Sequence, residues 1–150
     1  MSAPSAFVVD TSVVVKWFVD EGGTAQAKAI QLFEAFEAGR CALKAPQLLM
    51  FELANALMYS HKLSSAKIVD LLASFQDLKI EIEPLSLPTL AKAVEIACTC
   101  GATIYDAYFL ALALETDSTL VTADEVFLRK ARHWPRIVAL RFLQLPGLTR

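Results

Sequence analysis

The sequence predicts an α/β domain with a mainly parallel sheet, and two observations carry that prediction. Short runs of strand-forming residues alternate along the chain with longer helical patterns. The 150 residues are 55% hydrophobic and 20% charged, with five Gly and six Pro, which is the make-up of one compact domain spanning 1–150 and excludes disorder. A chain of this length can bury roughly 68–70% of the surface its unfolded form exposes, so its core needs neither disulfide nor structural metal.

The elements follow in order. Phe7-Val8-Val9 reads as the first strand, and helical patterns over 12–19 and 24–38 come next, separated by Gly22-Gly23 and closed by Gly39. Cys41-Ala42-Leu43 is the second strand. Pro46 is expected to open a third helix over 47–61, and Ser64 to cap a fourth over 64–77. Ile80-Glu81-Ile82 is the third strand. Pro88 opens a helix over 88–100 that Gly101 ends, and a further helix covers 103–115. Thr119-Leu120-Val121, a short helix over 124–132, and Arg136 to Leu140 complete the pattern, with 141–150 left as a possible tail. No repeat or linker divides the chain.

Cys41, Cys98 and Cys100 are an odd set without metal-ligand spacing, read as buried thiols of a cytoplasmic protein. The longest stretch without Asp, Glu, Lys or Arg is Ile96 to Tyr105, ten residues where a membrane helix needs roughly 20. No charged-then-apolar secretion signal opens the chain. His61 and His133 lie far apart with no ligand pattern near either, which disfavours zinc.

A formal charge of −2 conceals an asymmetry. Residues 126–150 hold Arg129, Lys130, Arg132, Arg136, Arg141 and Arg150 with no acid, whereas the first 125 hold eight bases and all sixteen acids. A basic edge beside an acidic body suits a nucleic-acid backbone. Cations in and after a last helix also complement its dipole without any ligand.

Four acids stand out by position. Asp10 ends the first strand and Asp124 follows the fourth, at the sheet's carboxyl edge, where open α/β sheets bind ligands. Glu52 is a lone acid in an otherwise apolar helix, with Asn55 on its face, and Asp106 precedes the apolar run Ala107 to Leu114. Each has a structural alternative. Thr103-Ile104-Tyr105-Asp106 and Thr122-Ala123-Asp124-Glu125 both fit capping boxes, and Asp10 can cap the helix that Thr11 begins. Glu52 resists such an account, because a carboxylate in so apolar a helix costs several kcal/mol unless paired.

In this order and spacing the segments Val9-Asp10-Thr11-Ser12 with Lys16-Trp17, Pro46 to Leu57, Tyr105-Asp106-Ala107 and Leu120 to Asp124 resemble PIN domains, especially VapC toxin ribonucleases of VapBC toxin–antitoxin modules. The resemblance implies a three-layer α/β/α domain with a parallel five-stranded sheet of order 3-2-1-4-5. It places the family's usual magnesium ligands on Asp10 and Asp106, its second and fourth acids on Glu52 and Asp124, and its supporting polar groups on Ser12, Thr122 and Asn55. It further implies a small antitoxin partner and a homodimer. Thr11 departs from the small residues frequent at its position.

Converging carboxylates repel, each close pair costing about 4 kcal/mol at an effective dielectric of 20. A divalent cation resolves that, and oxygen ligands select Mg²⁺ or Mn²⁺. The expected chemistry is hydrolysis of RNA by an activated water, with Asp10 and Asp106 on the ion. Asp124 and Glu52 would complete its shell through water or accept the attacking proton. Lys16, Arg129 and Arg132 are the first candidates to hold RNA, followed by Arg136 and Lys130. Two rival readings are a catalytically silent interaction module and an aspartyl-phosphate receiver or phosphatase. The last fits less well, because Ser12 stands where a D-x-D phosphatase needs an acid and Asp10 lacks a receiver's acidic partner.

Overall fold

A computed structural model describes residues 3–145. Five parallel strands pair in the order β3-β2-β1-β4-β5: β1 is Ser5–Val9, β2 Cys41–Pro46, β3 Glu81–Glu83, β4 Thr119–Thr122 and β5 Ile137–Ala139. Val8, Val9, Leu43, Ala45, Leu120 and Val121 are all buried. Parallel strands at the centre of such a sheet are covered on both faces, which is why the ends of β1 and β4 are apolar without alternation, whereas β2 alternates and carries Lys44.

From β1 the chain winds outward through α1 (Thr11–Phe18), α2 (Gly23–Glu37), α3 (Leu48–Asn55) and α4 (Ser65–Asp77) to β3. It then returns across the sheet through α5 (Leu87–Cys100) and α6 (Ile104–Glu115) to β4, and through α7 (Glu125–Lys130) to β5. Right-handed crossovers put the outward helices on one face and the returning helices on the other, giving three layers. α6 lies across β2, β1 and β4 with Ala107 through Ala113 buried, and α5 packs outside it. The direction reverses between β2 and β4, so the carboxyl end of β1 sits at the topological switch point.

Several local expectations are corrected. Pro46 is the last residue of β2 and not a helix opener, and the expected helix over 47–61 ends as α3 at Asn55, continuing as a π turn over Ala56–Ser60. Capping chemistry does hold at Ser64, whose hydroxyl accepts from Lys67 N–H, and at Gly101, which takes φ of 70° at the end of α5. Cys41 is buried, but Cys98 is exposed and Cys100 half-buried; on α5, residues two apart cannot share its buried face. Beyond β5 a 3-10 turn over Leu140–Phe142 leads to buried Leu143, whose carbonyl accepts from Lys28 Nζ at 3.0 Å. Pro146 to Arg150, half of the segment read as a tail, lie outside the described residues. Among the described residues no helix is long and apolar enough to cross a membrane.

Candidate active site

Register brings the first two groups together. Val9 of β1 pairs with Val121 of β4, so the next residues, Asp10 and Thr122, emerge side by side at the carboxyl edge. The Thr122 hydroxyl donates to Asp10 Oδ2, and the Ser12 hydroxyl donates to Asp10 Oδ1 at 2.5 Å. Ser12 in turn accepts from the Ala123 N–H at 2.9 Å, and Thr122 from the Asp124 N–H at 3.1 Å. Two hydroxyls and two backbone amides of the β4–α7 turn thus lock one carboxylate in place. Thr122 is wholly buried and serves this clasp, not the capping box its sequence suggests.

The structural roles are also real. Asp10 caps α1 by accepting from Val13 N–H at 3.3 Å, Asp124 caps α7 by accepting from Phe127 N–H at 3.0 Å, and the Thr103 hydroxyl caps α6 by accepting from Asp106 N–H at 3.1 Å. Capping alone predicts depressed carboxyl pKa values, since helix N-termini favour the charged form. At Asp10 the opposite is found. Burial pushes Asp10 up to about 6, against the pull of the Ser12 and Thr122 hydroxyls and the Val13 amide, with Asp124 adding to the rise. Burial, then the charges of Asp106 and Asp10, push Glu52 up to about 7. Asp106 is raised by burial and by Asp124, with Thr103 and Lys130 opposing. Asp10, Glu52 and Asp106 are thus each raised in part by the charge of another of the four acids.

Among the described residues, no three Asp, Glu, His or Cys side chains stand close enough together to hold an ion as they lie. The carboxylates form a mutually repelling group and not a finished ligand cage. Their donor chemistry is all oxygen, which fits a hard divalent cation. A further oxygen is available: Thr11 Oγ1, on the turn beside Asp10, is buried and makes no hydrogen bond of ordinary length. Thr11 carries no role in the sequence reading; its only signal is a hydroxyl next to Asp10 at a helix start.

The remaining candidates separate. Asn55 is exposed. Lys16 turns to Glu21 Oε1 at 2.7 Å and is largely enclosed, and Glu21 also meets His61 Nε2 at 2.9 Å. Arg136 pairs with Asp117 and Arg141 with Glu125. Arg129, Lys130 and Arg132 stand at the end of α7 with no carboxylate partner among the described residues.

The PIN domain family model matches residues 7–133. The fold is similar to that of a Klebsiella pneumoniae toxin–antitoxin complex chain, at 18% identity and TM-score 0.61 over 89% of this chain and 96% of that one. It is similar to a chain of the DNA-bound VapBC of Salmonella typhimurium, at 15% identity and TM-score 0.67 over 91% and 98%. It also matches the sarcin-ricin-loop-cleaving VapC toxin of Mycobacterium tuberculosis, at 13% identity and TM-score 0.64 over 82% and 93%. No curated protein sequence matches the chain. The sheet order, the acids at its carboxyl edge and a family match running from β1 to the segment after α7 agree, and the chain belongs to the PIN domain family.

Proposed function

We propose that the chain is a Mg²⁺- or Mn²⁺-dependent endoribonuclease acting in the cytoplasm as the toxin of a toxin–antitoxin pair, with a small antitoxin and a second copy of itself as partners. The observation that carries this reading is the group of four acids at the switch point, three of them held above the ordinary carboxyl range by burial and by one another. A helix-capping role does not account for that. The toxin–antitoxin setting draws on the Klebsiella, Salmonella and Mycobacterium structures.

Asp10, fixed by Ser12 and Thr122, and Asp106 would hold the cation, with Asp124 and Glu52 beside them. When bound, such an ion lowers the pKa of water and offsets charge building on the phosphate. Asp10 supplies a carboxylate whose direction is set before substrate arrives. Glu52, raised to about 7, is suited to take a proton from an attacking water at neutral pH. Water as nucleophile leaves a 5′-phosphate. The acids repel RNA, so affinity must come from nearby cations.

Asp10→Asn and Asp106→Asn should each leave a folded protein that no longer cleaves single-stranded RNA in Mn²⁺. Cleavage by both at the wild-type rate would remove the reading.

A further inference from the structure

Arg129, Lys130, Arg132 and His133 line a cleft of about 430 Å³ closed on its other side by Thr99 and Cys100 from the last turn of α5. Five of the ten other Lys and Arg side chains among the described residues pair with a carboxylate; the three clustered here do not. Lys16, Lys44, Lys92, Arg136 and Arg141 are each in an ion pair, whereas Arg129, Lys130 and Arg132 form none among the described residues. The carboxyl end of α5 supplies partial negative charge, but a helix terminus is worth roughly half a unit against three full charges. Most of the cleft's positive charge is therefore unmatched within the fold. One internal contact, Arg132 Nη1 to the Arg129 carbonyl at 3.0 Å, holds the loop after α7 in shape and leaves the other guanidinium nitrogens available.

The position relative to the acids is fixed by α7 itself. Asp124 caps its start and Lys130 is its last residue, so its six residues separate the two by about 9 Å. One nucleic-acid strand can therefore lie against both ends of α7 at once. Lys130 is also near enough to Asp106 to act on its charge.

We infer that this cleft between α5 and α7 is a phosphate-binding subsite that anchors the RNA backbone beside the bond cut at the acid site. The inference rests on the nuclease reading for its choice of RNA, though its own binding chemistry does not need cleavage. Flanking phosphates held here would offset the repulsion between the substrate and the four acids. The subsite reads backbone and not base, since Arg and Lys meet phosphates without sequence information.

The test is fluorescence anisotropy of a labelled short single-stranded RNA with the full chain in EDTA, across a salt series. Each lost phosphate contact should remove about 0.7 from the slope of log K against log salt, so R129Q/K130Q/R132Q should lose about 2 and bind more weakly. R129Q alone should lose about 0.7, and it spares the Arg132 contact, which uses a backbone carbonyl. K67Q/K79Q, on and beside α4, should bind as wild type does. Unchanged slopes in the α7 variants, equal weakening by the α4 pair, or no RNA binding by the wild type would overturn the subsite. So would binding of an acidic peptide in place of RNA. Cleavage in Mn²⁺ distinguishes the two readings: weakened binding in the α7 variants with no wild-type cleavage would keep the subsite and reject the nuclease. Wild-type cleavage lost in Asp106→Asn, with RNA binding unaffected in the α7 variants, would do the reverse.

Discussion

Replacing Asp10 by Asn should stabilise the protein above neutral pH. Its carboxyl rises from 3.8 to about 6 on folding, chiefly through burial, so the folded chain holds that proton more tightly than the unfolded chain. The resulting stabilisation is complete below pH 3.8 and is lost as pH rises through about 6. By pH 8 the loss is about 3 kcal/mol, which a neutral isostere avoids. The amide nitrogen would then face a hydroxyl that now donates, Ser12 or Thr122, and reversing that bond costs about 1 kcal/mol. The net gain at pH 8 is about 2 kcal/mol, or about 4–8 °C in Tm for a chain of this size. Urea unfolding in EDTA at pH 4 and pH 8 measures it. A gain of equal size at both pH values, or none at pH 8, would refute the claim that ionised Asp10 opposes folding.

Ser12→Ala removes a donor to Asp10 and strands the Ala123 amide, so it should cost about 1–3 kcal/mol and move the Asp10 titration, followed by carboxyl ¹³C shift, above its present midpoint. Mn²⁺ at about a hundredfold over its Kd should stabilise the wild type by about 2.7 kcal/mol and leave Asp106→Asn unmoved in a thermal melt. Gly101→Ala should cost about 1–2 kcal/mol in urea unfolding, because φ is +70° and no neighbour lies within 4 Å of the added methyl, so the penalty is conformational and not steric.

The sheet was legible because each buried parallel strand leaves an apolar run, and Val9-Asp10 and Val121-Thr122 mark where two of them end. Position alone singled out the four acids, since a lone carboxylate such as Glu52 is conspicuous among apolar neighbours. The clasp on Asp10 was visible only as two hydroxyls matching a family pattern; its bonds depend on a register between residues 112 apart. Less could be read where tertiary packing decides. The π turn after Asn55 leaves no sequence mark, and Pro46 ends a strand where a helix start was equally compatible with its ring. Lys16 reads as a free cation until Glu21 is seen beside it.

The Asp10–Thr122 bond also sets a timetable. Asp10 leaves the ribosome 112 residues ahead of Thr122, and β4 cannot pair with β1 until both are out. At about 5–20 residues per second, many seconds pass in which the nascent chain displays an isolated aspartate with no strand to complete it. Through that interval the carboxyl edge of the sheet exists in only one of its two halves.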